Sequence, residues 1–152
     1  MSVVSIADMP GLAGREFGPS AWVEVGQDKI NTFADVTSDH QFIHVDPDLA
    51  AQTPFGTTIA HGFYTLSLLT AMCAEFMILP EGAVMGINYG LDKVRFLAPV
   101  KSGSRVRAHA RITDVDERSP GRWLLKYEVS VEIEGEEKPA LLAEWLTMSV
   151  VA

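Results

Sequence analysis

The spacing of apolar residues changes near the middle of the chain. Residues 27–37 (QDKINTFADVT) carry apolar side chains at helical spacing, which predicts a helix. Asp46 followed by Pro47 is a helix-start signal, because a capping acceptor precedes a proline in the first turn, and it predicts a short second helix. Residues 61–79 (HGFYTLSLLTAMCAEFMIL) are apolar on nearly every face, which predicts one long helix buried on all sides.

From residue 83 onward the period is that of β-strands. Apolar and polar residues alternate most clearly over residues 104–115 and 122–135, and short turn sequences separate the segments. Consecutive strands joined by short turns form an antiparallel sheet. We therefore predict an α+β fold in which an antiparallel sheet wraps around the long helix, with residues 20–25 adding an edge strand. No repeat or linker divides the chain, so residues 1–152 are expected to form a single domain.

Such a sheet leaves open edges, whose unpaired backbone groups invite pairing with another chain. Two copies that join edge to edge would cover these groups and bury apolar side chains. We therefore expect a homodimer.

Composition narrows the possible partners. The net charge is −8, from 12 basic and 20 acidic side chains, so we expect neither nucleic acid nor a membrane as a partner. Arg105, Arg107 and Arg111, with Lys101 nearby, form the only basic run; they could meet the phosphates of a small ligand, but a solvated face is the simpler interpretation. The single cysteine, Cys73, and the lack of a secretory signal pattern favour the cytoplasm.

The segment SDHQFIHVDP holds the most unusual chemistry. Asp39 follows the first predicted helix and His44 precedes the second, so one turn of the chain could aim both side chains at one water molecule. Phe42 and Ile43 are expected to pin this turn into the core. The alternative is that Asp39 caps a turn and His44 is an ordinary hydrogen-bonded histidine.

A second feature lies at the start of the long predicted helix. Gly62 follows His61 there, and a glycine lets a ligand approach unpaired backbone N–H groups closely. Such an N–H suits the oxygen of a thioester that gains negative charge. The alternative is that Gly62 only permits tight packing.

The combined pattern resembles a known family. FADVTSDHQFIHVDPDLAAQTPFGTTIAHGFYTLSLL is similar to the MaoC-like dehydratases, the (R)-specific enoyl-CoA hydratase group with the hotdog fold, and most of all to its compact NodN-like branch. The matching residues, in order and spacing, are Phe33, Asp39, Ile43, His44, Asp46, Pro47, His61 and Gly62. Ser38 departs from the family's usual glycine, and Gln41-Phe42 replace its Asn-Pro.

The resemblance implies a hydro-lyase that adds water to a trans-2-enoyl-CoA and gives an (R)-3-hydroxyacyl-CoA, or the reverse. Asp39 and His44 would hold and activate the water, and the Gly62 N–H would bind the thioester oxygen. No metal or redox cofactor is implied, because coenzyme A is part of the substrate and its thioester already acidifies the adjacent carbon.

Three further positions are expected to contact substrate. These are His61, Ser67 and Asn88. Ser67 could line an acyl tunnel or simply bond to its own helix, and Asn88 could support the site or be an ordinary strand residue.

Three other functions compete with the hydratase. A hotdog thioesterase would activate water against the carbonyl carbon, and a non-catalytic acyl-thioester binding protein would keep the fold without the chemistry. A metal site could draw on Asp39, His44, Asp46 and His61, although their spacing is not that of ligands on one element.

Overall fold

The computed structural model describes residues 2–152, with eight strands, five α-helices and one 3₁₀ helix (Ile6–Leu12) among them. The strands are β1 (Ser2–Val4), β2 (Glu16–Phe17), β3 (Val23–Val25), β4 (Ile78–Pro80), β5 (Ala83–Phe96), β6 (Ser104–Ser119), β7 (Arg122–Ile133) and β8 (Leu141–Val151). The helices are α1 (Gln27–Thr37), α2 (Phe42–Val45), α3 (Pro47–Ala50), α4 (Gly62–Ser67) and α5 (Leu69–Met72).

Six strands form one antiparallel sheet in the order β2-β6-β7-β8-β5, and β3 also pairs with β6. Its apolar face closes over the helices, and the largest fully buried side chain in this core is Tyr127 on β7. The predicted α+β hotdog arrangement and the edge strand near Val23 are confirmed.

The alternation along β6 and β7 decides which side chains enter the core. Their inward positions are Val106, Ala108, Ala110, Ile112, Tyr127, Val129, Val131 and Ile133, and all are buried. The arginines on the opposite face meet glutamates on β7 or just after it: Arg107 contacts Glu132 at 2.7 Å, and Arg105 contacts Glu134, the residue that follows β7. Arg111 contacts Glu128 at 2.5 Å. The basic run is therefore paired across strands, which favours the solvated-face interpretation.

The long helix is shorter than its apolar sequence suggests. Helical structure covers α4 and α5 with a turn at Leu68, and it ends at Met72. The prediction of helix to residue 79 is wrong, because Ile78–Pro80 instead form β4 and pair in parallel with β1. Burial on every face is also wrong, since Phe63 is 70% exposed. No helix within residues 2–152 has the length and apolar character needed to cross a bilayer.

β5 lies at the edge of the sheet and pairs only with β8. It is one strand of 14 residues with irregular register near Asn88 and Lys93. Many of its large apolar side chains are exposed. They are Val84, Met85, Ile87, Tyr89, Leu91 and Phe96.

Candidate active site

The carboxylate of the site comes from the end of α1. Ser38 closes the helix in the left-handed conformation, with φ 59°, and its N–H bonds to the Ala34 carbonyl. Glycine adopts this conformation most easily, which explains why the family usually has glycine here. The Asp39 N–H bonds to the same carbonyl at 3.1 Å, so the chain turns sharply just before the Asp39 side chain.

His44 lies on α2, a single helical turn, and is buried. Its Nδ1 is 2.7 Å from the carbonyl oxygen of Ile59. A carbonyl oxygen only accepts, so Nδ1 carries the proton and the neutral ring keeps its lone pair on Nε2. The turn is held by such contacts rather than by Phe42, which is 42% exposed; the expectation that Phe42 pins it into the core is wrong.

His61 packs directly against His44. The two rings are stacked with their centroids 3.8 Å apart, and Phe33 covers His61 at 5.0 Å. His61 Nε2 lies 2.9 Å from the main-chain oxygen of Asp39, to which it donates. His61 is only 3% exposed and its Nδ1 is buried without a hydrogen-bond partner. Its contacts therefore position Asp39 and His44 rather than present His61 to a substrate.

The side chains of Asp39, His44 and His61 converge. One ligand atom from each lies within 4.8 Å of the others. Two atoms separated by up to 4.8 Å can both bond to a water oxygen that lies about 2.8 Å from each, so this spacing allows a shared water.

The same three side chains raise the question of a metal. Asp46, the fourth predicted ligand, instead caps α3 by accepting from the N–H groups of Asp48 and Leu49. The rings of His44 and His61 are stacked at an inclination of 26°, and His44 Nδ1 is committed to the Ile59 carbonyl. His61 Nε2 is also committed to the Asp39 carbonyl. The arrangement suits proton transfer better than metal binding.

Burial sets the protonation state of His44. Desolvation lowers the pKa of His44 below its ordinary value of 6.5, the hydrogen bond that His44 donates to the Ile59 carbonyl opposes this, and His61 lowers the pKa further. The ring is therefore neutral near pH 7, with Nε2 able to accept a proton.

Gly62 begins α4 directly after His61. A side chain at this position would place its Cβ 3.1 Å from ring carbons of Phe96. Glycine thus allows the close approach of an aromatic ring, which fits the packing alternative, and its N–H is the first of helix α4.

Ser67 and Asn88 lie apart from this cluster. They line a cleft of about 380 Å³ between α4–α5 and strands β5 and β8. The Ser67 hydroxyl donates to the Tyr64 carbonyl of its own helix at 2.7 Å, and Asn88 accepts from the Trp145 indole at 2.8 Å. Neither residue contacts Asp39, His44 or Gly62 through a hydrogen bond.

The sequence patterns missed two residues that hold the site together. Gln27, the first residue of α1, donates to the main-chain oxygen of His44 at 2.7 Å and accepts from the hydroxyl of buried Thr58. A glutamine at a helix start and a threonine in a loop carry no signal of such a contact, because it joins segments 31 residues apart.

Comparison with known proteins identifies the family. Residues 8–133 match the family model described as "MaoC like domain". The chain is 52% identical over 149 residues to nodulation protein N of Rhizobium leguminosarum bv. viciae, with 97% of this chain and 92% of that protein covered. It is 50% identical over 140 residues to 3-hydroxyacyl-thioester dehydratase Z of Mycobacterium tuberculosis, with 92% of each covered.

The fold recurs in a solved structure of an (R)-hydratase from A. caviae involved in PHA biosynthesis. The TM-score is 0.72 at 24% identity, over 89% of this chain and 94% of that one. Together these similarities support a hydratase or dehydratase activity. With its fold, its converging Asp39 and His44 and its family match in agreement, the chain belongs to the MaoC-like dehydratase family.

Proposed function

We propose that the protein catalyses the reversible, (R)-specific hydration of trans-2-enoyl-CoA to (R)-3-hydroxyacyl-CoA. The observation that carries the proposal is the approach of Asp39 and His44 within 4.8 Å, with His44 neutral and hydrogen-bonded through Nδ1 to Ile59. The 50% identity to a protein named 3-hydroxyacyl-thioester dehydratase Z supports a thioester substrate.

In this mechanism one water molecule lies between the two side chains. Its oxygen bonds to C3 of the substrate while its proton passes to the Asp39 carboxylate, and His44 orients the water through Nε2 and shares the proton. The electrons of the C2–C3 double bond move toward the thioester, whose oxygen accepts from the Gly62 N–H. A proton then returns to C2 on the same face, so the elements of water are added across the bond.

This reaction needs no redox partner, because water adds without a change in overall oxidation state. We therefore propose that coenzyme A enters only as part of the substrate and that no metal takes part. The hydrogen bonds of His44 Nδ1 and His61 Nε2 to main-chain carbonyls support the second point, since both nitrogens already have partners.

We assign the cleft that Ser67 and Asn88 line to the acyl chain. It lies one to two helical turns beyond Gly62, and its walls are otherwise mostly apolar or small, which suits a hydrocarbon. The hydrogen bond from Trp145 fixes the Asn88 side chain as part of this wall. In this role Ser67 and Asn88 shape the cleft and take no part in proton transfer.

We propose that the protein is a homodimer joined through β5. An edge strand of 14 residues with six exposed large apolar side chains would promote aggregation if it stayed uncovered. Ile87→Lys should therefore give monomers in sedimentation analysis, whereas Val36→Lys, which changes an exposed apolar residue of α1, should leave dimers. Dimers of the Ile87 variant would contradict this interface.

We also propose that residues 1–152 form one domain and that it functions in the cytoplasm. One buried core draws on residues from Met9 to Trp145, which supports a single unit. Cys73 is buried and unpaired, as is usual in a reducing compartment.

The central test follows the loss of the enoyl double bond by absorbance across a series of trans-2-enoyl-CoA chain lengths, with chiral analysis of the product. Asp39→Asn and His44→Ala should each lower kcat/KM by about 10²–10⁴-fold, the usual contribution of general acid–base catalysis. His40→Ala is the matched control, because His40 lies on the same loop but is exposed and pairs with Asp35.

Three results would contradict the proposal. Wild-type turnover in either site variant would remove Asp39 and His44 from the chemistry. Release of free thiol from saturated acyl-CoA without loss of the enoyl bond would indicate a thioesterase. Tight binding of acyl-CoA without any turnover would indicate a binding protein.

A further inference from the structure

Gln27 uses every polar group of its side chain. Its Nε2 donates to the main-chain oxygen of His44 at 2.7 Å and to Asn31 Oδ1 at 2.8 Å, and its Oε1 accepts from the Thr58 hydroxyl. The orientation of the amide is unambiguous, because the His44 carbonyl can only accept and must face the NH₂ group.

The His44 carbonyl needs a donor from outside its own helix. α2 is a single turn, too short to be stable alone, and its last carbonyls lack partners within the helix. The next helix offers none: Pro47 has no N–H, and the N–H of Asp48 bonds to the Asp46 carboxylate at 3.1 Å. Gln27 supplies the missing hydrogen bond from a different element.

The other end of the Gln27 amide holds the segment that orients the His44 ring. Thr58 is 2% exposed, and its main-chain oxygen accepts from Ser102 at 2.9 Å, so this segment is fixed against the body of the protein. The next residue, Ile59, provides the carbonyl that accepts from His44 Nδ1. Gln27 therefore bridges the backbone of His44 and the segment that bears the acceptor of its ring.

We infer that Gln27 is a positioning residue for the reaction: it sets the distance between the His44 backbone and the Ile59 carbonyl and thereby keeps the proton of His44 on Nδ1 and the lone pair on Nε2. Thr58 is its partner in this role. The inference rests on the proposed function only in assigning a catalytic task to His44.

The same region contains one competing restraint. The Ile59 N–H donates to the Ile43 carbonyl at 3.0 Å and also ties the two segments together. That bond restrains the backbone before His44, whereas Gln27 acts on the His44 carbonyl itself. If the Ile43 bond were sufficient, removal of the Gln27 amide would leave the His44 ring unchanged, and this difference makes the inference testable.

The experiment compares Gln27→Leu, Thr58→Val, the double variant and Asn31→Ala with the wild type. Partners that orient a functional histidine are typically worth about 10–100-fold, so Gln27→Leu should lower kcat/KM by that factor, mainly through kcat. Thr58→Val should have a smaller effect, and the double variant should be no worse than Gln27→Leu alone, because both changes break one network. Asn31→Ala removes only the exposed contact of Gln27 and should stay within about 2-fold of the wild type.

Nitrogen-15 NMR of the free protein measures the tautomer of the His44 ring, which a general loss of stability would not change. In the wild type the His44 ring should carry its proton on Nδ1; in Gln27→Leu the signals should shift toward a mixture of the two tautomers. Thr58→Val conserves side-chain volume and serves as the second variant if Gln27→Leu does not fold.

An unchanged tautomer and an unchanged kcat/KM in the folded variants would overturn the inference. A double variant whose loss of kcat/KM equals the product of the two single losses would also overturn it. A shifted tautomer in a protein whose wild type shows no hydration would retain the positioning role and reject the proposed function instead.

Discussion

Gly62→Ala should destabilise the protein when Phe96 is present and stabilise it when Phe96 is replaced by alanine. Gly62 has no left-handed φ, so alanine fits its backbone, and replacing glycine at a compatible position stabilises by about 0.4–1 kcal/mol through the unfolded state. The new Cβ would, however, lie 3.1 Å from two ring carbons of Phe96, where carbon atoms normally stay about 3.5–4.0 Å apart.

The clash should outweigh the gain. Overpacking of this kind costs about 1–3 kcal/mol, toward the low end here because Phe96 is 49% exposed and can yield. We therefore expect Gly62→Ala to destabilise the wild type by up to about 2 kcal/mol. In a Phe96→Ala background the ring is gone, and Gly62→Ala should then stabilise by about 0.4–1 kcal/mol.

Urea unfolding of all four proteins, followed by circular dichroism, measures the coupling between the two sites. One protein concentration must be used throughout, because dimerisation would make apparent stability depend on concentration. A stabilising Gly62→Ala in both backgrounds, with no coupling energy, would refute the reasoning that Phe96 is what requires glycine.

Four further predictions concern the site and its surroundings. Since His44 acts as a neutral group with a lowered pKa, the acidic limb of the kcat/KM pH profile should lie below pH 6.5, and a limb above that value would contradict its burial. The lowered pKa of His44 should also affect stability. As the pH falls, the imidazole of the unfolded chain takes up a proton before that of the folded protein, so the free energy of unfolding should decrease below pH 6.5. The decrease should be smaller in a His44→Gln variant, which lacks this imidazole. Ser38→Gly should raise the free energy of unfolding by up to about 1 kcal/mol, measured by thermal or urea unfolding. A serine in the left-handed conformation costs about 1–2 kcal/mol, and the greater freedom of glycine in the unfolded chain offsets part of the gain from removing that cost. A loss of stability would contradict the strain at φ 59°. Dialysis against EDTA should leave hydration activity unchanged, and activity restored only by an added divalent ion would reopen the metal alternative.

Much of the fold could be predicted because its local patterns agree with its tertiary contacts. The alternation of apolar and polar residues along β6 and β7 correctly predicted which side chains are buried. The helix predicted over residues 27–37 has the same bounds as α1. The apolar stretch at residues 61–79 led to a wrong prediction at its end, because a few consecutive apolar residues suit a buried helix and a buried strand equally well. Its end became β4 because β1, more than 70 residues earlier, lies alongside as a partner.

The sequence also indicated the side chains of the candidate site, but it did not indicate the contacts that hold them in place. Asp39 and His44 stand out because two charged or titratable side chains flank an apolar pair in a short turn. The stacking of His61 on His44, the ring of Phe96 over Gly62 and the Gln27 bridge join residues far apart in the chain, so no local pattern announces them.

The linear order of residues by itself determined which strands alternate, and it singled out the short turn with a carboxylate and an imidazole as the candidate site. Only the tertiary structure decided which tautomer of His44 is present, since the deciding acceptor, the Ile59 carbonyl, lies 15 residues away. It also decided that His61 is buried against His44 and that β5 lies at the edge of the sheet. The physical reason is range: periodicity and turn chemistry act over a few residues, whereas burial, stacking and hydrogen-bond direction depend on segments that meet only when the chain has folded.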